Sequence, residues 1–211
     1  MTTELVVETP HGEGRLVTAR ARRPVATLLL GHGAGNGIEA RDLEALAHYL
    51  PRNGVTVVRF EQPWRRSGRK VATPPATLDE ALVAASDRLR VRTPLIVGGR
   101  SAGARSAARC AQRMGARGCL ALAFPLHPPG RPEKSRREEL LGAGVPLMVI
   151  QGERDTMGRP EEFPGGLDLS VVPGADHGFR VPARGPISQE EAMDIVVESA
   201  LEWIVREIVG E

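Results

Sequence analysis

The sequence predicts an α/β protein: a mostly parallel sheet of about eight strands with helices on both faces. Two observations carry this. Short β-branched apolar runs alternate along the chain with longer stretches of helical periodicity. Runs such as A-T-L-L-L at 26–30 are apolar at consecutive positions, which suits strands covered on both sides, and a glycine-rich loop follows at once. At 211 residues the chain has room for one full core, and no repeat, low-complexity tract or linker divides it, so residues 1–211 read as one domain.

The elements follow in order. Residues 4–8 and 15–21 flank H-G-E-G and read as an opening hairpin, and 26–30 is a buried strand. A helix over about 39–53 places Leu43, Leu46, Ala47 and Leu50 on one face, and Gly54 closes it before the strand 55–60. Residues 61–75 read as a loop by composition. A helix over 77–91 follows, with Thr77 and Glu80 spaced as a capping box. The strand 94–99 leads into an Ala-rich helix over about 102–114, and the strand 119–124 into a proline-rich turn. A short charged helix (132–141), strands at 146–151 and 168–173 and an amphipathic helix at 188–208 complete the pattern.

Composition excludes several classes. The balance of 28 basic against 26 acidic residues gives a formal charge of +2, too near neutral for a dedicated nucleic-acid binder. No apolar stretch is long enough to span a bilayer, and no signal peptide is visible at the start, so no membrane association is expected. Cys110 and Cys119 fit buried thiols in a reducing compartment, which points to the cytoplasm. Histidines and cysteines at metal-ligand spacing are absent, and neither a metal nor another cofactor is expected.

The chemistry centres on G-R-S-A-G at 99–103. It sits between the apolar run L-I-V-G-G and an Ala-rich helix, the strand–turn–helix setting in which such a motif has meaning. There a sharp turn lifts a serine oxygen above the carboxyl edge of the sheet, so Ser101 is the candidate nucleophile. A serine needs a base oriented by a carboxylate. His177, in G-A-D-H-G-F after the last strand, is the candidate base. Asp155, in Q-G-E-R-D, is the candidate acid, with Glu153 the second choice; Asp176 adjoins His177 too closely to orient it. The loop after 119–124 offers only P-L-H-P-P-G, which favours Asp155.

Acyl transfer also needs N–H donors for a developing oxyanion. The candidates are the amides of Ala102 and of Ala34 in G-H-G-A-G, with Gly33 the fallback. That loop lacks the spacing of a P-loop or a dinucleotide site. Gly33, Trp64, Arg100 and His127 are candidate pocket residues, with Arg100 placed to pair with Glu61 or Glu153. Arg65, Arg66, Arg69 and Lys70 form a basic loop, either solvated or facing an anionic substrate group.

With H-G-A-G, G-G-R-S-A-G-A-R, F-P-L-H-P-P-G-R-P, Q-G-E-R-D and G-A-D-H-G-F in place, the chain resembles the α/β-hydrolase superfamily along nearly its whole length. It is most similar to the compact dienelactone-hydrolase-like branch, including the testis-expressed-hydrolase-like proteins. The resemblance implies strand order 1-2-4-3-5-6-7-8, an antiparallel second strand, and Ser101, Asp155 and His177 as a triad. Dienelactone hydrolases themselves use a cysteine where Ser101 stands. Only residues 125–145 separate the strands between which larger relatives insert a cap, so no cap domain and an open cleft are expected. The implied substrate is a small ester, thioester or lactone. Acyl transfer to another acceptor and a catalytically silent scaffold are the alternatives, and a homodimer through the last helix or an edge strand is open.

Overall fold

In a computed structural model describing residues 2–210, eight strands form one sheet in the order β1-β2-β4-β3-β5-β6-β7-β8. The hairpin of β1 (Thr2–Thr9) and β2 (Gly12–Ala19) is antiparallel, and β2 also runs antiparallel to β4 (Val55–Glu61). From β4 onward all pairings are parallel, through β3 (Ala26–Gly31), β5 (Leu95–Arg100), β6 (Gly118–Leu122), β7 (Leu147–Gly152) and β8 (Asp168–Val172). Strand number, order and the antiparallel second strand agree with expectation.

Both faces of the central strands are dry because their alternate residues feed two cores. Leu28 and Leu30 of β3 join Ile96, Leu120 and Ile150 beneath α1 (Arg41–Tyr49) and α6 (Gln189–Ile204). Leu29 joins Val97, Ala121 and Val149 on the opposite face, beneath α3 (Pro75–Asp87) and α4 (Ala102–Cys110). All three leucines are fully buried, each stabilising the fold by about 1.5–3 kcal/mol relative to exposure. That is why the run carries no alternation of polar and apolar residues.

Several helix ends differ from the sequence reading. Pro75 opens α3 and Thr77 does not cap it: proline at the first helical position presets the backbone and needs no N–H there. Residues 61–75 are not all loop, since Pro63–Arg66 form one helical turn, α2. The charged segment is helical only as α5 (Arg137–Leu141), and α4 ends at Cys110 instead of near 114. At the C-terminal helix, Ser188 accepts from the Glu191 N–H while the Glu191 carboxylate accepts from Ser188 N–H, a reciprocal cap.

The parallel strands direct their carboxyl ends to one edge, where the loops after β3, β5, β7 and β8 meet. Between β6 and β7 the chain adds only α5, so no cap covers that edge. Among the described residues no helix is long and apolar enough to cross a membrane. Cys110 and Cys119 are free and buried, and burial pushes their thiols up to about 11 and about 12.

Candidate active site

Ser101 joins β5 to α4 with φ 53° and ψ −111°, a conformation an L-residue adopts only when its surroundings impose it. Two contacts impose it here. Ser101 N–H donates to the Leu122 carbonyl of the neighbouring strand at 3.0 Å. Below the turn, Gly99 and Gly103 press against Gly31 of β3; a Cβ on Gly99 would come within 2.5 Å of the Gly31 carbonyl oxygen, and one on Gly103 would overlap it. Only glycine lets strand and helix approach so closely. The serine is thereby raised at the N-terminus of α4, where the helix dipole is positive.

His177 and Asp155 arrive from loops beyond β8 and β7. The Ser101 hydroxyl lies 2.9 Å from His177 Nε2, and His177 Nδ1 lies 2.7 Å from Asp155 Oδ2. Asp155 is fully buried and accepts further hydrogen bonds from Gln151 Nε2 and Met157 N–H, both at 2.8 Å. With its oxygens so occupied, the carboxylate points one lone pair at the imidazole, which sets Nδ1 as the protonated nitrogen and leaves Nε2 to accept from serine. Glu153 faces elsewhere, accepting from Gly174 N–H at 2.6 Å, and Asp176 accepts from Gly178 and Arg180 N–H in its own turn. The His177 side chain is 26% exposed, so solvent reaches the imidazole.

The loop after β3 is organised by a residue to which the sequence reading gave no role. His32 is buried, with Nε2 accepting from Gln62 N–H at 3.1 Å and Nδ1 donating to the Gly33 carbonyl at 2.8 Å. Burial lowers its pKa, so the ring is neutral, as this pairing requires. Holding the Gly33 carbonyl toward His32 turns the N–H on the other side of that trans peptide, Ala34 N–H, away from it. Gly33 is buried against Ser101 and Ala34 is exposed. Ala102, next to the serine, begins α4. The signal for His32 was its place between two glycines at the end of a buried strand.

The remaining expected residues separate. Trp64 is buried, tilted against the His32 ring with centroids 5.5 Å apart. It lines a cavity of about 960 Å³ with Arg66, Arg69, Thr73 and Thr77, one strand across from the loop after β3. Neither Ser101 nor His177 lines that cavity. Within the basic loop, Arg66 is engaged by Glu13 at 3.2 Å. His127 is turned into a contact between loops, its Nε2 lying 2.9 Å from Glu162; its bond to the Pro128 carbonyl, and then the Glu162 carboxylate, raise the histidine pKa. Arg100 pairs with neither Glu61 nor Glu153. Glu61 is taken by Arg15 at 2.9 Å, and the Arg100 side chain runs under the elbow to Asp42 of α1 at 3.4 Å and to the His177 carbonyl at 2.9 Å. Burial raises the Asp42 carboxyl pKa, against the pull of the Arg100 charge.

A strained serine elbow, a Ser–His–Asp line and a glycine-rich loop at the carboxyl edge of this eight-stranded sheet define the α/β-hydrolase class. The family model for the alpha/beta hydrolase domain matches residues 24–205, and the chain belongs to that family. Solved structures agree in fold. A serine hydrolase without a lid from Xanthomonas campestris is 19% identical, with a TM-score of 0.74 over 96% of this chain and 94% of that one. A dienelactone hydrolase from Anabaena variabilis is 17% identical, with a TM-score of 0.74 over 99% and 98%. The esterase domain of a Rhodothermus marinus protein is 14% identical, with a TM-score of 0.71 over 98% of each chain.

Proposed function

We propose that this protein is a serine hydrolase that cleaves a small carboxylic ester, thioester or lactone through a covalent acyl-enzyme. The observation that carries the reading is the unbroken line Asp155–His177–Ser101, at 2.7 and 2.9 Å, on an elbow whose serine is held at a positive φ. His177 Nε2 takes the hydroxyl proton as Ser101 Oγ attacks the carbonyl carbon. The same proton goes to the leaving oxygen or sulfur as its bond to carbon breaks. Water then attacks the acyl-serine, again deprotonated by His177, and the acid departs with the serine hydroxyl restored. Asp155 holds the imidazole and stabilises its charged form.

The amides of Ala34 and Ala102 receive the oxyanion in this reading. The lock on the Gly33 carbonyl supports Ala34 over Gly33. Each donor is worth about 10²–10³ in rate. The cap-less edge supports small, accessible substrates, and the single sheet through all eight strands supports reading the chain as one domain. Two free buried thiols support the cytoplasm as its compartment.

A fluorophosphonate probe tests the assignment. Wild type is expected to label and to hydrolyse p-nitrophenyl esters or acyl-thioesters. Ser101→Ala is expected to lose labelling entirely, and His177→Ala to label at least about 10³-fold more slowly. Labelling that persists in Ser101→Ala would sink the nucleophile.

A further inference from the structure

The three parts of the proposed machinery come from strands that are not all neighbours. The oxyanion loop follows β3, beside β5, but the His177 loop follows β8, three strands from β5. At about 4.8 Å per strand, that loop must reach back roughly 14 Å to meet Ser101. One side chain spans the junction. Arg100, the residue before the nucleophile, is 6% exposed and extends beneath the elbow. Its Nη2 donates to the His177 carbonyl at 2.9 Å, its Nε lies 3.4 Å from Asp42 Oδ2, and Nη1 lies 3.7 Å from where a Cβ on Gly33 would stand. Nη2 is likewise 3.4 Å from the Cβ position of Gly178. One planar guanidinium therefore abuts the oxyanion loop, the first turn of the helix that follows it and the histidine loop.

We propose that Arg100 is a positioning residue: a strut that sets the His177 backbone, and with it the Nε2–Oγ distance, relative to the nucleophile. The inference rests on the serine-hydrolase reading. The arrangement is built for position, since the Arg100–Asp42 contact is a poor stabiliser. The Asp42 side chain is fully buried, its 3.4 Å contact to Arg100 Nε is not a well-formed hydrogen bond, and buried pairs with incomplete hydrogen bonding hardly recover their desolvation. The contact that is well made is the one to the histidine carbonyl. Arg100 touches no reacting atom in this scheme; it acts through the geometry of His177, where a displacement of about 1 Å costs on the order of 10²-fold in rate.

The test separates position from charge balance. Arg100→Gln combined with Asp42→Asn removes both charges together, so no unpaired charge is left buried, and glutamine is too short to reach the His177 carbonyl. The double variant is expected to melt cooperatively and keep KM within about threefold. Its kcat on a p-nitrophenyl ester and its rate of phosphonylation by the fluorophosphonate should both fall about 100-fold. Arg100→Lys keeps a charge opposite Asp42 but offers no planar fork, and is expected to fall between wild type and the double variant. A double variant with wild-type kcat and labelling, or a loss confined to KM, overturns the strut. Should the double variant not fold, wild-type kcat in Arg100→Lys overturns it equally. A wild type that neither labels nor turns over strikes the hydrolase reading itself, and is recognised before any variant is compared.

Discussion

The two loops that meet at Ser101 are held by opposite kinds of force. On the side proposed to hold the oxyanion, the loop after β3 is fixed by a neutral, buried His32 between Gln62 N–H and the Gly33 carbonyl, and by glycines packed backbone to backbone at Gly31, Gly99 and Gly103. On the side proposed to relay the proton, the loops after β7 and β8 are held by charged groups. Asp155 and Glu153 accept from backbone or Gln151 N–H groups, His127 faces Glu162, and Arg100 grips the His177 carbonyl. Under the proposed mechanism the division follows from the chemistry asked of each. An oxyanion cradle must be rigid and uncharged before substrate arrives, whereas a relay must hold a histidine that becomes charged in every turnover.

The largest expected effect lies on the relay side. Asp155→Asn should lower kcat by about 10⁴-fold, because the imidazole loses the partner that fixes its tautomer. Glu153→Gln should leave kcat within a few-fold. Steady-state kinetics on one ester ranks the two, and the reverse ranking would make Glu153 the acid. Next comes the oxyanion side. His32→Ala leaves Gln62 N–H and the Gly33 carbonyl unpaired in a buried place, so phosphonylation should slow about 10²-fold. Stability should fall by about 1–3 kcal/mol, read from urea unfolding. Gly103→Ala forces a methyl into the Gly31 backbone and should cost about 1–3 kcal/mol through strain alone.

The smallest effect, and the sharpest contrast, is in pH. His32 has a lowered folded pKa, so the unfolded chain takes the proton first on acidification. Its stabilisation is complete above about 6.5 and erodes below, and the Tm gap between wild type and His32→Ala should narrow as pH falls. His127 has a raised folded pKa and Glu162 a lowered one. The histidine contribution is complete below about 6.5 and is lost as pH rises through the raised value. The glutamate contribution is complete above about 4.3 and is lost as pH falls through the lowered value. The Tm gap between wild type and His127→Gln should therefore be widest between those limits, at about 1–3 °C for a pair with one partly exposed partner. Gaps that move together with pH would show that the two sides are not held differently after all.

Much of this was legible in the chain. Leu28, Leu29 and Leu30 announce a strand buried on both faces, and five spaced motifs announce the loops of one sheet edge. Ser101, Asp155 and His177 could be ordered along the chain because each follows a recognisable strand. Thr77 misled because its spacing to Glu80 imitates a cap, whereas Pro74 and Pro75 set the helix start by backbone restriction. Asp42 carried no signal, and His32 only its place between two glycines, which does not reveal its partners. A neutral buried histidine and a buried carboxyl facing an arginine far along the chain look, in sequence, like any others.

The sequence by itself determined the class of fold, the strand order through its resemblance, and which serine, acid and histidine converge. Periodicity and turn chemistry are local, and local patterns survive in one dimension. The tertiary structure decided the partners: Asp42 and not Glu61 or Glu153 for Arg100, Glu162 for His127, and the Gly33 carbonyl and Gln62 N–H for His32. Those choices depend on which side chains are shut away from water together. Burial makes each unpaired polar group costly, and only packing in three dimensions settles which group lies within reach.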